Sequence, residues 1–331
     1  MPRRSTKSRS ARAKRALPAR FRRTKAFFWL NALILLGGGV WYFLQPPGRQ
    51  AEVRQLVGNT FAENKRVDPL DVAWDLYQLY YSPDFVSAAP APGDRTHLYA
   101  GAPVAANSPA QVTRLLTNTG YLVGYDDNVG VARWAAYRVA DISPLPTPAE
   151  RPDRFDVDRR TVARIDSDAY TGTGYDRGHL APNYAIATRY GEPAQRETFL
   201  MSNIIPQLHR LNAGLWKQLE MEIATAYPAR FSEIWVLCGP VLGNPPARLP
   251  GSARNRPAIP EACYMILVDE SDGRVRAQAF LFPSSPADSA RLGDFLVTID
   301  ELEQRTGLDF LPALPDPAES ALESKRATRV W

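Results

Sequence analysis

The sequence predicts an α+β fold with a central antiparallel sheet flanked by helices, preceded by one transmembrane helix. Runs rich in aromatic and β-branched residues at 120–127 and 132–139 predict two strands, and the turn residues between them predict an antiparallel hairpin. Three further runs have the composition of buried strands, at 233–240, 262–268 and 275–282. A helical pattern at 290–306 closes the region, and nineteen uncharged residues at 26–44 predict the membrane span.

The basic character of the chain lies in its first 25 residues. They contain eleven Lys and Arg and no acid, so subtracting them from the net charge of +5 leaves −6 for residues 26–331. Arg, Ser and Ala dominate this segment, and such a composition cannot bury a core. We therefore expect a disordered basic tail at 1–25.

Residues 26–45 form the predicted transmembrane anchor. Nineteen helical residues rise about 28 Å, close to the roughly 30 Å of a hydrocarbon core, and aromatic residues stand at both ends. The positive-inside rule places the N-terminus in the cytoplasm and the rest of the chain in the periplasm or outside the cell. A cleaved signal peptide is disfavoured because no small-x-small site follows, and a mitochondrial presequence, which is also rich in Arg and Ser, stays open as the alternative.

The segment that follows the span predicts a stalk. Apolar residues recur at helical spacing from Ala51 to Tyr81, with Pro69 breaking the pattern into two helices. Ser87 to Asp94 is a linker by composition. We therefore assign a helical stalk and linker to 46–89, the main domain to 90–316 and a loose C-terminal tail to 317–331.

The residues that carry chemistry occur in three short motifs. The motifs are Asp176-Arg177-Gly178-His179-Leu180-Ala181-Pro182, Asn203-x-x-Pro206-Gln207 and Asn212-x-x-x-Trp216-x-x-x-Glu220. A neutral imidazole such as that of His179 can accept a proton near pH 7. The amide oxygen of Asn212 is a hard ligand that suits Mg²⁺, and helical rotation of about 100° per residue places Glu220 on the same helix face. Three histidines without a Cys pair at ligand spacing disfavour a zinc enzyme.

In order and spacing these motifs resemble those of the DNA/RNA non-specific endonucleases, the ββα-metal (His-Me finger) family that includes endonuclease G. The resemblance covers about residues 98–315 and implies a ββα-metal nuclease fold for the main domain. It implies hydrolysis of phosphodiester bonds in DNA and RNA with little sequence preference. It implies Mg²⁺ as the metal, with Mn²⁺ as a substitute, and it allows a homodimer.

The resemblance also assigns roles to individual residues. It makes His179 the general base, with Asn203 supporting its ring. It makes Asn212 the metal ligand, with Glu220 as an acid that holds waters of the metal. It makes Arg151, in an Arg-x-x-x-Phe context, the phosphate-binding arginine, although Arg154 stays open for that role.

Several alternatives stay open at this point. Arg177 either contacts a substrate or product phosphate or pairs with Asp176 or Glu220, and Asn212 also suits a helix N-cap. Cys238 and Cys263 occupy two of the predicted strands, and both a disulfide and two buried thiols are open.

One departure from the family pattern favours a different function. Ala224 stands where the family often has an arginine, which leaves Arg151 or Arg210 to stabilise the transition state. The alternative is a catalytically weak or inactive nuclease-like module that only binds nucleic acid, and the net charge of −6 outside the tail disfavours broad electrostatic capture of DNA.

Overall fold

The computed structural model describes residues 19–61, 67–88, 97–106, 113–142, 144–253, 255–271 and 273–331, with the backbone alone for 19–26. The chain divides into two compact units, Met1–Gln55 and Leu56–Trp331. The predicted basic tail up to residue 18, and the linker from residue 89 with its domain boundary, lie outside the described residues.

The first unit contains helix α1 (Ala19–Phe43) and the beginning of helix α2 (Pro47–Phe61). Because α1 begins at Ala19, the prediction of a disordered tail is wrong for residues 19–25. Among the described residues, no helix combines the length and the apolarity that a bilayer crossing needs, so the predicted transmembrane helix at 26–45 is not supported. The helix that covers this stretch starts within the basic segment, and Arg20, Arg22, Arg23 and Lys25 lie in its first turns.

The second unit is built around an antiparallel sheet. Its strands are β1 (Val86–Ser87), β2 (Val104–Ala105), β3 (Arg114–Thr117), β4 (Leu122–Asp126), β5 (Val131–Ala140), β6 (Asp176–His179), β7 (Ile204–Gln207), β8 (Glu233–Leu242), β9 (Pro260–Ser271), β10 (Arg274–Pro283), β11 (Leu296–Val297) and β12 (Leu308–Asp309). The main sheet has the order β1-β10-β9-β8-β5-β4-β3, and β11 pairs with β10. This confirms the predicted central antiparallel sheet, and the hairpin formed by β4 and β5 pairs Leu122 with Ala136.

Helices and short turns connect and cover these strands. The helices are α3 (Pro69–Tyr81), α4 (Asn183–Glu197), α5 (His209–Leu211), α6 (Lys217–Thr225), α7 (Tyr227–Phe231), α8 (Ile299–Thr306) and α9 (Asp316–Glu323). Turns of 3₁₀ helix occur at Ser167–Tyr170, Met201–Asn203 and Leu292–Phe295, and a wide π turn occurs at Asn212–Trp216.

The main sheet has a hydrophobic core on each face because side chains alternate along its strands. In β8, Val236 belongs to a first core that also contains Ile186 and Trp216. Its neighbour Trp235 belongs to a second core that also contains Leu302. Burying each large apolar side chain contributes roughly 1.5–3 kcal/mol, so β8, which is buried over most of its length, stabilises both layers.

The two cysteines are free thiols that are buried in neighbouring strands. Cys238 pairs with Met265 and Cys263 pairs with Pro240 in the register of β8 and β9. The Cys238 thiol donates to the carbonyl oxygen of Leu180 at 3.3 Å. Of the two alternatives, the structure has the buried thiols.

Helix α3 lies in the second unit, although the sequence placed it in a stalk. Its start is fixed by Asp68, whose side chain accepts a hydrogen bond from the backbone of Leu70, and by Pro69 in the first turn. Asp75 on this helix forms a buried ion pair with Arg230 of α7, with an N–O distance of 2.7 Å. The strand β1 that follows pairs with β10, so residues 67–88 belong to the fold of the domain.

The predicted loose tail at 317–331 is also packed. Helix α9 buries Ala318 and Leu322, and Leu322 belongs to the second core. The ring of Trp331 contacts the rings of Tyr227 and Phe231 at centroid distances of 6.1 and 5.5 Å. These apolar contacts explain the order of the segment.

Candidate active site

The three predicted motifs fold into one ββα unit. Strands β6 and β7 pair so that Asp176 lies opposite Gln207 and His179 lies opposite Ile204, and the chain then runs through α5 and the π turn into α6. Gly178 is needed in this hairpin, since a Cβ at its position would lie 2.0 Å from Oε1 of Gln207. A side chain at position 178 would therefore require the buried side chain of Gln207 to move.

A cavity of about 280 Å³ opens beside this unit, and five of the six predicted site residues line it. They are Arg151, Arg177, His179, Asn212 and Glu220. Asn183, Lys217 and Ala224 also line the cavity. Two of the residues that line it have a buried polar atom, Nε2 of His179 and Oδ1 of Asn183, without a hydrogen-bond partner among the described residues.

His179 is held among aromatic rings at the wall of the cavity. Its imidazole lies 5.5 Å from the ring of Phe155 and 5.1 Å from that of Phe199, centroid to centroid. Burial, and secondarily the charge of Arg151, lowers the pKa of His179 from 6.5 to about 3. The imidazole is therefore neutral at pH 7, which is the form that can accept a proton.

Asn203 supports the chain that follows His179 and does not support the imidazole directly. Its side-chain amide accepts from the backbone nitrogen of Ala181 and donates to the carbonyl oxygens of Ala181 and Thr198, each at 2.9 Å. Its own carbonyl oxygen accepts from the backbone of Leu180 at 3.0 Å. The expected direct contact with the ring is absent from the described hydrogen bonds, in which the buried side chain of Asn203 bonds Ala181 and Thr198 instead.

Asn212 is oriented by Asp176. Its Nδ2 donates to Oδ2 of Asp176 at 2.9 Å, and His209 contacts the same carboxylate oxygen at 2.8 Å. Asn212 makes no side-chain cap at the π turn, where Gly214 departs from helical geometry, so the N-cap alternative is not supported. Because Nδ2 is bound to Asp176, the amide oxygen is left as the atom that can bind a ligand.

Glu220 is a desolvated acid on α6, about two turns beyond Asn212. Its Oε1 accepts a hydrogen bond from Nε1 of Trp216 at 2.9 Å. Burial raises the pKa of Glu220 to about 8, although this hydrogen bond and the charges of Lys217 and Arg151 act in the opposite direction. A carboxylate whose charge is so costly to bury is stabilised by a cation in the same cavity.

Arg177 is held by the 3₁₀ turn at Ser167–Tyr170. Its Nε donates to the hydroxyl of Ser167 at 2.8 Å, and its Nη2 donates to the carbonyl oxygen of Ser167 at 2.7 Å. These bonds direct the guanidinium toward the turn, so the alternative of a pair with Asp176 or Glu220 is not supported among the described residues. Of the open alternatives for Arg177, contact with a phosphate remains.

Of the two arginines expected to replace the one absent at Ala224, Arg151 lines the cavity and Arg210 does not. Arg151 lines the cavity and lies over the ring of Phe199, 5.2 Å from its centroid. Arg210, by contrast, pairs with Asp288 at 2.9 Å and does not line the cavity. Lys217 does line it, and the sequence analysis missed this residue. Its spacing of seven residues from Ala224, two helical turns on one face, was the signal that could have identified it.

Comparisons with known proteins agree with this geometry. The family described as DNA/RNA non-specific endonuclease matches residues 58–317. A relative called Nuclease from Nostoc sp. is 30% identical over 252 residues, which cover 71% of this chain and 87% of that protein. A relative called Nuclease EXOG, mitochondrial, from Danio rerio is 29% identical over 209 residues, which cover 59% of this chain and 60% of that protein.

A solved structure shows a related fold. The crystal structure of an EndoG/EndoGI complex contains a chain that superposes with a TM-score of 0.53 at 21% identity. The superposition covers 62% of this chain and 88% of the other. It supports the assignment of the mixed α/β architecture with its central antiparallel sheet.

Proposed function

Because the chain belongs to the DNA/RNA non-specific endonuclease family, we propose that it hydrolyses phosphodiester bonds of both DNA and RNA, with Mg²⁺ as its metal. The observation that carries the proposal is that one cavity is lined by His179, Asn212, Glu220 and three cationic side chains. Such a reaction needs a base for the attacking water and positive charge for the phosphoryl oxygens.

His179 is proposed as the general base. The imidazole is neutral at pH 7, and its Nε2 has no hydrogen-bond partner among the described residues, so in the tautomer that is protonated on Nδ1 it can accept the proton of water. The bound phosphate is anionic, and an opposite charge favours the imidazolium form. Binding of nucleic acid would therefore raise the pKa of His179 from its low value and strengthen the base when it is needed.

The cavity also fits a hard divalent cation. Asn212 presents an amide oxygen whose orientation Asp176 fixes, and Glu220 supplies a carboxylate whose charged form is destabilised by burial. These oxygen donors suit Mg²⁺, and Mn²⁺ accepts the same type of ligand. A Mg²⁺ held by these residues would act as a Lewis acid toward the phosphoryl oxygens.

Three cations complete the proposed site. Arg151 and Lys217 line the cavity beside His179 and Glu220, and Arg177 lines it from β6. Their charges bind the phosphate and stabilise the charge that develops on it. Contacts to phosphate carry no sequence information, so we expect little sequence preference.

The location of the enzyme is a further proposal. The name of the Danio rerio relative supports the mitochondrial alternative. The membrane anchor and the homodimer have no support in the described residues and stay predictions of the sequence.

A nicking assay tests the proposed function. The full chain is incubated with supercoiled plasmid and with structured RNA in Mg²⁺, in Mn²⁺ and in EDTA, beside the His179→Ala variant. We expect metal-dependent cleavage of both polymers and a loss of about 10²–10⁴-fold in the variant, as is typical when a general base is removed. Thermal unfolding of the variant is the control for folding.

The same assay separates the enzyme from the binding module. Ala224 is the observation that favours a module that only binds nucleic acid, because the family arginine is absent. If the folded protein binds plasmid in a gel-shift assay and cleaves neither polymer with either metal, the protein is a nucleic-acid-binding module and the proposed nuclease activity is excluded.

A further inference from the structure

A cluster of acidic side chains lies in the layer of α8 and α9, on the sheet face that carries the second core. Asp300 and Glu303 come from α8 and Glu323 comes from α9. One carboxylate oxygen from each residue lies within 4.8 Å of the other two. The candidate active site lies in the layer of the first core, so this cluster is separate from it.

Glu323 is the unusual member of the cluster. Its side chain is only 6% exposed, and its buried Oε1 has no hydrogen-bond partner in the part of the chain that the structure describes. Burial, followed by the charges of Glu303, Glu319, Asp300 and Asp309, raises the pKa of Glu323 to about 9. A buried acid that faces other acids carries a large electrostatic cost unless a proton or a cation neutralises it.

No basic side chain is among the charges that act on Glu323 in the described part of the chain. Lys325, two residues further along, donates instead to the carbonyl oxygen of Pro83. The charges that act on Glu303 are likewise those of Asp309, Asp300 and Glu319. In the described part of the chain, the charges that chiefly act on these two acids are therefore all negative.

We propose that Asp300, Glu303 and Glu323 bind one divalent cation, and that this cation is Ca²⁺. Ca²⁺ takes six to eight oxygen ligands and often several carboxylates, whereas Mg²⁺ is usually held by only one or two carboxylates and keeps its waters. Three carboxylate oxygens that all lie within 4.8 Å of one another therefore suit Ca²⁺. Asp309 and Glu319, which act electrostatically on Glu323, add negative charge around the same position.

The cation would connect the last helix of the chain to the domain. Glu303 is already oriented, because its Oε1 accepts a hydrogen bond from the backbone nitrogen of Phe310 at 2.8 Å. Glu323 lies beside Leu322, whose side chain is part of the second core. Binding therefore stabilises the packing of α9 on α8 and acts on stability, with no part in the chemistry of the cavity.

Calorimetry and thermal unfolding of the full chain test the proposal. Wild type, Glu323→Gln and the control Glu301→Gln are titrated with CaCl₂ and with MgCl₂. Glu301 is an exposed acid on α8, the helix that carries Asp300 and Glu303. We expect wild type and Glu301→Gln to bind one more Ca²⁺ than Glu323→Gln. At a concentration near 100 times Kd, Ca²⁺ should raise their Tm by about 5 °C or more.

Two controls separate this site from the candidate active site. Asn212→Ala should keep the Ca²⁺-dependent shift in Tm, and Glu323→Gln should keep the nuclease activity measured well below its Tm. If Ca²⁺ shifts the Tm of Glu323→Gln as much as that of wild type, the proposal is wrong. It is also wrong if Glu323→Gln is more stable than wild type in both EDTA and Ca²⁺, because the cluster then holds only protonated acids.

Discussion

Replacing Asp75 with alanine should destabilise the second unit strongly, because the change leaves the guanidinium of Arg230 buried without a partner. The two side chains form two hydrogen bonds, Nε to Oδ2 at 2.8 Å and Nη2 to Oδ1 at 2.7 Å. They are 6% and 4% exposed. Hydrogen bonds to charged groups are worth about 1.5–3 kcal/mol each, and breaking a buried ion pair costs about 3–5 kcal/mol. We therefore expect a loss of about 3–5 kcal/mol in the free energy of unfolding.

Denaturant unfolding followed by circular dichroism measures this loss, with Asp71→Ala as the matched control. Asp71 lies on the same helix, but its carboxylate is 41% exposed and its distance to Arg329 is 3.8 Å. Such a surface pair contributes about 0–1 kcal/mol. In thermal unfolding, Asp75→Ala should lower Tm by about 10 °C, at roughly 2–4 °C per kcal/mol for a domain of this size.

Equal, small effects of the two substitutions would refute this reasoning. They would mean that α3 is not packed as part of the domain, and the sequence-based assignment of a separate stalk would then be correct. Because the arginine lies 155 positions further along the chain, the result also tests the long-range arrangement of the fold.

Two further predictions concern the cavity and the dependence of stability on pH. Lys217→Met should lower kcat/KM by about 10²-fold, as does the loss of other groups that stabilise developing charge. The control is Arg154→Met, because Arg154 is an exposed cation outside the cavity and its loss should leave kcat/KM unchanged. Equal losses in the two variants would contradict the role of Lys217. Burial alone would raise the pKa of Asp158, but hydrogen bonds from Arg160 and Ser202 outweigh it and lower the pKa below 3.8. The unfolded state therefore binds more protons in acid, so stability that is present at neutral pH is lost below about pH 4. Thermal unfolding should show a smaller acid-induced loss for Asp158→Asn than for wild type, and parallel curves would exclude this contribution.

The sequence predicted those parts of the site that depend on local spacing. His179 and Arg177 lie two residues apart on one strand, and Asn212 and Glu220 lie eight residues apart along one helical segment. Both spacings are short enough for strand and helix geometry to determine the relative positions of the side chains. The motifs of the family supplied the connection between the two segments.

The partners of these residues could not be predicted in the same way. Arg177 binds Ser167, ten residues earlier, through a loop whose path no periodic pattern describes. Asn203 is buried because it lies in the 3₁₀ turn at Met201–Asn203, whose residues are all buried. The π turn at Asn212–Trp216 also departs from the regular rotation of about 100° per residue on which the helical argument relied.

Long-range packing explains the errors at both ends of the domain. The segment at 69–81 is amphipathic, which suits a stalk as well as a docked helix, and only its distant partner Arg230 distinguishes the two. The last fifteen residues have few large apolar side chains, yet Leu322 and Trp331 reach the core. Tertiary contacts determine whether such segments pack on the domain, and these contacts cannot be read from local composition.

The alternation of β8 between the two cores has a consequence for how this protein tolerates change. Ile234, Val236 and Cys238 contact the layer with the cavity, while Trp235 and Leu237 contact the layer with α8 and α9. A saturation scan of β8, scored separately for catalytic turnover and for retention of Ca²⁺, should give two sensitivity profiles with a period of two residues and opposite phase. One strand thus separates two layers, so a substitution on either face directly alters the packing of one layer, while both layers share the stability of the sheet between them.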